Sequence, residues 1–271
     1  MIYAMSDIHG CLDALKEKME QVDLSPDNRM IFLGDYIDYG PDSGGVLRYL
    51  YDLWQKEGND KVVMLKGNHE AMLLEWIDEF KNPVTPLMEE MSYDSWLKTD
   101  GEHRYNAFRT LVTKEQFEYI RETERNLSFA RLNHEAVNMV IETSGDLIKW
   151  IRSMESFYET DTQIFVHAGV DEEAEEYWKC GTGDDVFLWK FPASFGKFCK
   201  TVIAGHVGTG NIARDRSFHE VYYDGASHYY IDGSVYKHGK LLLLAYDEND
   251  GKYYQVEKRG LILRDKGFMR G

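Results

Sequence analysis

Five short pieces of the chain place polar side chains able to hold metal directly after an apolar run. They are MSDIHG (residues 5–10), FLGDYIDYG (32–40), LKGNHE (65–70), FVHAG (165–169) and IAGHVG (203–208). In open α/β folds, sites gather at the carboxyl ends of parallel strands. Asp7, His9, Asp35, Asn68, His167 and His206 are therefore candidates to converge. Asp7 and His9 are two residues apart, and in an extended segment that spacing turns both side chains toward one ion. Asp35 follows Gly34 at a strand end, where an exposed carboxylate could bridge two ions. Asn68 offers a neutral oxygen, and His167 and His206 offer imidazole nitrogens. Oxygen and imidazole donors without a thiolate suit Mn, Fe or Zn rather than a cysteine-rich structural zinc. Two divalent cations set against two carboxylates leave a surplus of about two positive charges for a phosphate dianion. A metal pair also acidifies a bridging water and clamps phosphoryl oxygens. Singly, each piece has an ordinary reading. Gly67 and Asn68 can turn and cap a helix, DIH can be a strand-end turn, and a lone buried histidine can be hydrogen-bonded core. Their joint occurrence at successive strand ends favours a metal centre.

The elements that must position these residues show in the hydrophobic periodicity. IYAM (2–5), RMIFLG (29–34) and KVVMLKG (61–67) read as strands. CLDALKEKMEQV (11–22), SGGVLRYLYDLWQKEG (43–58) and EAMLLEWIDEF (70–80) read as helices. This β-α-β-α-β rhythm implies parallel strands joined by helical crossovers. Pro83 and Pro86 break the pattern, and TKEQFEYIRETER (113–125) and HEAVNMVIETSGDLIKWIRSM (134–154) read as helices of an insertion. Strand signals return in QIFVHAG (163–169), KTVIAGH (200–206), HYYIDGSVY (228–236), KLLLLAYDEN (240–249) and KYYQVEKR (252–259). The turn signal ENDGK (248–252) makes the closing strands antiparallel. The expectation is one domain over residues 1–271, with a mainly helical insertion at about 81–160 that closes over the site as a lid.

Composition bounds the partners. The 271 residues carry 31 basic and 47 acidic side chains, a net charge of −16. Such a surface repels nucleic-acid backbones and anionic membranes, so neither is expected as a partner. A phosphorylated substrate would need a local positive centre, which bound metal supplies. The three cysteines are scattered without CxxC spacing, which argues for a reducing compartment. MIYAMSDIHG lacks a basic region or cleavage site, and no apolar run has the length of a membrane helix, so a cytoplasmic protein is expected.

SDIHG, GDYID.G, GNHE, VHAG and AGH resemble the five signature blocks of the calcineurin-like metallophosphoesterases. GNHE and the HAG…GH ending are similar to the serine/threonine protein phosphatase branch and its bacterial relatives, the diadenosine tetraphosphatases among them. The resemblance implies an α/β fold, a two-sheet β-sandwich flanked by helices with a helical cap insertion. It implies that Asp7 and His9 bind a first metal, Asp35 bridges, and Asn68, His167 and His206 bind a second. The expected cofactors are two divalent or trivalent ions, Mn first and then Fe or Zn. It further implies that His69 is the general acid, oriented by Asp38, while a metal-bridging hydroxide attacks phosphorus. A carboxylate beside an imidazole favours its protonated form. Glu70 is left to cap or charge the helix start.

The blocks depart from the family at one position. Where the phosphatase branch reads G-D-x-x-D-R-G, this chain has Tyr39. Arginine grips two phosphate oxygens with a permanent charge, whereas tyrosine offers one neutral donor. Lys190, in FLWKF (187–191), falls where bacterial relatives often have arginine; Asn68, Tyr39 and Lys190 are the expected substrate contacts. Arg104, Arg214 and Arg216 are further cations that could compensate, and SWLKTDGEHR (95–104) loosely resembles the relatives' cap. The first substrate expectation is a phosphomonoester, phosphoprotein included. The alternative is a phosphodiester or dinucleoside polyphosphate, which the loss of arginine favours. Outside catalysis, a metal-binding regulatory module without turnover and a purely structural helical scaffold remain as competing readings.

Overall fold

The computed structural model describes residues 1–82, Leu97 and 106–265. The predicted alternation appears as two mixed sheets packed face to face, with helices outside. In the first sheet, β1 (Ile2–Met5) pairs in parallel with β2 (Arg29–Phe32), which pairs in parallel with β3 (Val62–Met64). On its other side β1 meets β9 (Leu244–Asp247), followed by β10 (Lys252–Glu257) and β11 (Gly260–Leu263), all antiparallel. The second sheet is built on parallel β5 (Gln163–Val166), β6 (Thr201–Ala204) and β8 (His228–Tyr230). Antiparallel β4 (Phe157–Glu159) and β7 (Tyr222–Tyr223) form its edges.

Strands covered on both faces read as continuous apolar runs, and their alternation sorts side chains between two layers. Ile2, Ala4, Ile31, Phe165 and Ile203 point into the core between the sheets. Tyr3, Met5, Met30 and Phe32 point outward, under α1 (Leu12–Met19), α2 (Ser43–Glu57), α3 (Asn68–Lys81) and α6 (Phe129–Arg152). Ile164, Val166, Val202 and Ala204 point outward on the other side, beneath Trp178, Phe187 and Ile212 of α7 (Trp178–Gly181), α8 (Asp184–Trp189) and α9 (Thr209–Ala213). A one-residue slip in any of these strands would swap the two layers.

Within the insertion, α4 (Phe108–Leu111), α5 (Lys114–Thr123) and α6 share one apolar core with α2 and α3. The buried Trp76 indole donates to Asn133 Oδ1 at 2.8 Å, tying α3 to α6. SWLKTDGEHR lies outside the described residues apart from Leu97, as do Pro83, Pro86, His103 and Arg104. Near the chain's end the expected strands are shorter: after Tyr230, HYYIDGSVY leaves the sheet and forms α10 (Val235–His238).

Candidate dinuclear metal centre

All six parallel strands run the same way within their sheets, and the loops that follow them meet along one rim. The loops after β1 and β2 are laced backbone to backbone: Asp7, His9 and Gly10 N–H groups donate to the Gly34, Asp35 and Tyr36 carbonyls at 3.1, 2.9 and 2.8 Å. Gly34 and Gly67 approach so closely that a Cβ on Gly34 would lie 2.3 Å from Gly67 N, and one on Gly67 would lie 2.2 Å from Asp35 Oδ1. Only hydrogen fits there, which lets the start of α3 reach Asp35.

Asp7, His9, Asp35, Asp38, Tyr39 and His206 all adopt positive φ, between 46° and 70°. Non-glycine residues in that region cost about 1 kcal/mol or more each and persist where the surroundings over-determine them. Glu70 supplies much of that constraint. Its buried carboxylate accepts from Asp35 N (2.8 Å), Tyr36 N (2.8 Å), Ile37 N (3.3 Å) and Gly67 N (3.0 Å). It does cap the helix, and it also clamps the bridging loop to it.

Asp35 lies at the centre. Its Oδ2 is 3.6 Å from His9 Nε2, and its Oδ1 is 3.5 Å from His167 Nε2. Two donors each about 2.1 Å from one ion are separated by about 3.0–3.4 Å, so both spacings approach those of shared ligation. Asp35 thus belongs to two groups of donors, one with His9 and His69 and one with His167 and His206. Asn68 Oδ1 completes the second, 2.8 Å from His167 Nε2 and 3.1 Å from His206 Nδ1. Asp7 sits 3.9 Å from His9 Nε2 and accepts the His206 amide at 3.0 Å. The distal nitrogens of two imidazoles are pinned, His9 Nδ1 by the Ile37 carbonyl and His167 Nδ1 by the Leu33 carbonyl, each at 2.9 Å. Such outer contacts fix the ring orientation and tautomer of a metal-ligating histidine.

The donors also have the right protonation chemistry. Burial, then neighbouring imidazoles, lowers the His9 pKa to about 3, the His206 pKa to about 4, and that of His167 well below its usual value. Burial first, then the charge of Asp232 on Asp7 and of Asp7 on Asp35, raises both carboxyls well above the carboxylate range. Neutral imidazole is the ligating form, and crowded carboxylates are relieved by a bound cation. The residues present fit a pair of metal ions.

His69 stands beside this cluster, its ring 4.9 Å from that of His9. Its Nδ1 is 2.8 Å from Asp38 Oδ2, while Asp38 Oδ1 accepts from Asn106 N and Ala107 N, both at 2.9 Å. Asn106 Nδ2 donates to the Gly40 carbonyl at 3.0 Å, so the segment just before α4 grips the Asp38 loop directly. Tyr39 stacks on Tyr236 with centroids 4.0 Å apart and packs edge-on to His9 at 4.7 Å. On the opposite flank the half-exposed Trp189 ring lies 6.3 Å from His206.

Lys190 is committed to other partners: its ammonium donates to the Val170 carbonyl and lies 3.5 Å from Glu172 Oε1. Arg214 and Arg216 are solvent-exposed, just after α9. The sequence reading passed over Asp232, which follows β8 in the same strand-then-acid pattern as the five pieces. It is buried, its pKa is pushed up to about 6 by burial, and its charge repels that of Asp7. Nothing local in the sequence marks Asn106 or Tyr236.

Fold and site together define a two-sheet α/β protein with a rim of Asp, His and Asn donors that could hold metal. The chain belongs to the calcineurin-like phosphoesterase family, whose model matches residues 1–210. It is 36% identical over 105 residues to the symmetrical bis(5'-nucleosyl)-tetraphosphatases of Cronobacter sakazakii and Yersinia enterocolitica. Those matches span about a third of each protein: 35% of this chain, and 35% and 34% of the relatives. A solved structure described as a candidate diadenosine tetraphosphatase superposes with a TM-score of 0.52 at 16% identity, covering 94% of this chain and 92% of that one. A cold-active protein tyrosine phosphatase superposes with a TM-score of 0.55 at 17% identity, covering 96% and 80%. At such identities the likeness is one of fold.

Proposed function

We propose that this protein is a metal-dependent hydrolase of phosphoric esters and anhydrides that acts on dinucleoside polyphosphates. The observation that carries the hydrolase reading is Asp35, whose two oxygens face separate groups of donors. Asp7, His9, Asp35, Asn68, His167 and His206 would hold the two ions, which when bound supply an acidified water and neutralise phosphoryl charge. His69 Nδ1 is committed to Asp38, so Nε2 is the nitrogen that delivers a proton to the departing oxygen. Asp38 holds that ring by accepting from Nδ1, and the Asn106 and Ala107 amides hold Asp38.

Two observations support the dinucleoside class over the phosphomonoesters that the motifs alone put first. The relatives at 36% identity are tetraphosphatases acting on bis-nucleosyl substrates. In addition, Tyr39 replaces a phosphate-gripping arginine and joins Tyr236 in an aromatic face beside His9. Such a face suits a flat base better than a phosphate dianion. The half-exposed Trp189 beside His206 offers a second flat surface on the other flank.

The test is steady-state hydrolysis by Mn-loaded protein of diadenosine tetraphosphate against p-nitrophenyl phosphate, with Asp35→Asn as the control for contaminating phosphatase. The dinucleotide is expected to win by tenfold or more in kcat/KM, about 1.4 kcal/mol of transition-state preference. A monoester preference of that size would return the assignment to a phosphomonoesterase. No turnover above the control would leave a metal-binding regulatory module.

A further inference from the structure

Away from the metal rim, a cavity of about 490 Å³ opens between α1, the segment after α10 and the β10–β11 turn. That volume is in the range of small-molecule sites. Its charge is opposite to that of the chain: Lys18, Lys240, Lys258 and Arg259 line it, against Glu17 and Glu257, while the whole protein carries −16. Two of the cations are paired, Lys258 with Glu17 at 2.8 Å and Lys18 with Glu257 at 3.9 Å. Among the described residues, Lys240 and Arg259 form no ion pair, although acidic side chains outnumber basic ones across the chain. Burial lowers the Lys18 pKa; the charge of Glu257 opposes that shift and the like charge of Lys240 adds to it. Part of the lining is apolar, from the half-buried Ala14 and the exposed Ile262, while Leu241 and Leu242 are turned into the core.

We propose that this cavity is a second ligand site, which takes an organic phosphate: a phosphate anion on the Lys240 and Arg259 rim, with an apolar or aromatic body against Ala14 and Ile262. A bare anion would use the rim alone, and an uncharged apolar ligand would leave the cations uncompensated. The site does not depend on the metal rim, yet one loop serves both. Lys240 packs against the loop at Gly233, where a Cβ would lie 2.2 Å from the Lys240 carbonyl oxygen. Between Gly233 and Lys240 the chain carries Tyr236, which stacks on Tyr39 beside His9. Occupancy of the cavity is expected to act through this loop on Tyr236 and so on the aromatic pair beside His9.

The probe is ADP, titrated calorimetrically into the full chain in EDTA, so that metal-mediated binding and catalysis play no part. One saturable site is expected, weakened tenfold or more in Lys240→Glu/Arg259→Glu and less in Lys240→Ala/Arg259→Ala. Near-UV circular dichroism checks that the variants are folded. Inorganic pyrophosphate is expected to bind at least tenfold more weakly than ADP. No saturable binding of ADP to the wild type, or binding indifferent to charge reversal in a folded variant, overturns the site. Pyrophosphate binding as tightly as ADP overturns the organic-phosphate assignment. With Mn-loaded protein, ADP is expected to change kcat/KM for p-nitrophenyl phosphate more in the wild type than in the charge-reversed variant. An equal response would mean that ADP acts only at the metal rim, and would overturn the coupling. The calorimetric result stands or falls whether or not the dinucleotide reading holds.

Discussion

Asp38→Asn separates the acid role of His69 from its packing. Among the described residues, Asp38 Oδ2 accepts from His69 Nδ1 at 2.8 Å and Oδ1 accepts from the Asn106 and Ala107 amides at 2.9 Å. An asparagine has one acceptor oxygen and must choose a side. If its NH2 faced the two amides, two buried donors would lose their acceptor, at about 1–3 kcal/mol each. If its oxygen faces them, both bonds survive and the NH2 points at His69 Nδ1. The second arrangement wins. It forces Nδ1 to accept, so His69 can no longer carry protons on both nitrogens and becomes a poor acid. Folding should suffer by only about 1–2 kcal/mol, the difference between a charged and a neutral acceptor. Catalysis should fall by about 10²–10⁴, the usual contribution of a general acid. The assay compares an alkyl phosphate leaving group, which needs the proton, with p-nitrophenolate, which scarcely does. The loss in kcat should be large for the alkyl ester and at least tenfold smaller for the aryl one. Equal losses on both substrates would refute the acid assignment and leave Asp38 as loop support alone.

Three further outcomes follow from the same geometry. Glu70→Gln should cost about 3 kcal/mol of stability, because one amide oxygen cannot serve four backbone donors on two sides; chemical denaturation of metal-free protein measures it, and a change below about 0.5 kcal/mol would count against the clamp. Saturating Mn should raise the unfolding free energy by about 2.7 kcal/mol at a hundred times Kd, and Asp35→Asn should abolish that gain; an undiminished gain in the variant would place the metal elsewhere. His228 is fully buried between Asp224 at 2.8 Å and Glu172 at 3.2 Å, and although burial opposes it, these partners raise its pKa. Its folded value lies above its unfolded value, so its stabilisation is fully present below about pH 6.5 and is lost as pH rises through the folded value. The stability gap between wild type and His228→Gln should therefore narrow on the alkaline side of neutrality, and a gap that widens there would contradict the reading.

Much of the site could be read from the chain because its logic is local. A parallel strand must end, its loop must turn, and Asp7, His9, Asp35, Asn68, His167 and His206 each stand at such an end with a side chain of a type able to bind metal. The β-α-β rhythm of the first 80 residues brings the ends carrying Asp7, His9, Asp35 and Asn68 to one edge, whereas His167 and His206 reach it only through the second sheet. Asp232 obeyed the same rule and was overlooked, since a tyrosine-rich run reads first as sheet face. The parallel pairing of β5, β6 and β8 was less legible, because short apolar strands pair either way until their crossovers are known. Other features depended on contacts between segments far apart in sequence. Glu70 looks like a helix cap until Asp35, Tyr36 and Ile37 fold over it. Asn106 and Ala107 carry no motif, because they act through backbone amides that any residue but proline would supply. Lys190 looked like a phosphate contact by position, and folding turned it to Val170 and Glu172. Local sequence can specify which atoms a loop offers, but which atoms they meet is decided by how the two sheets and their helices pack, and that depends on the whole chain.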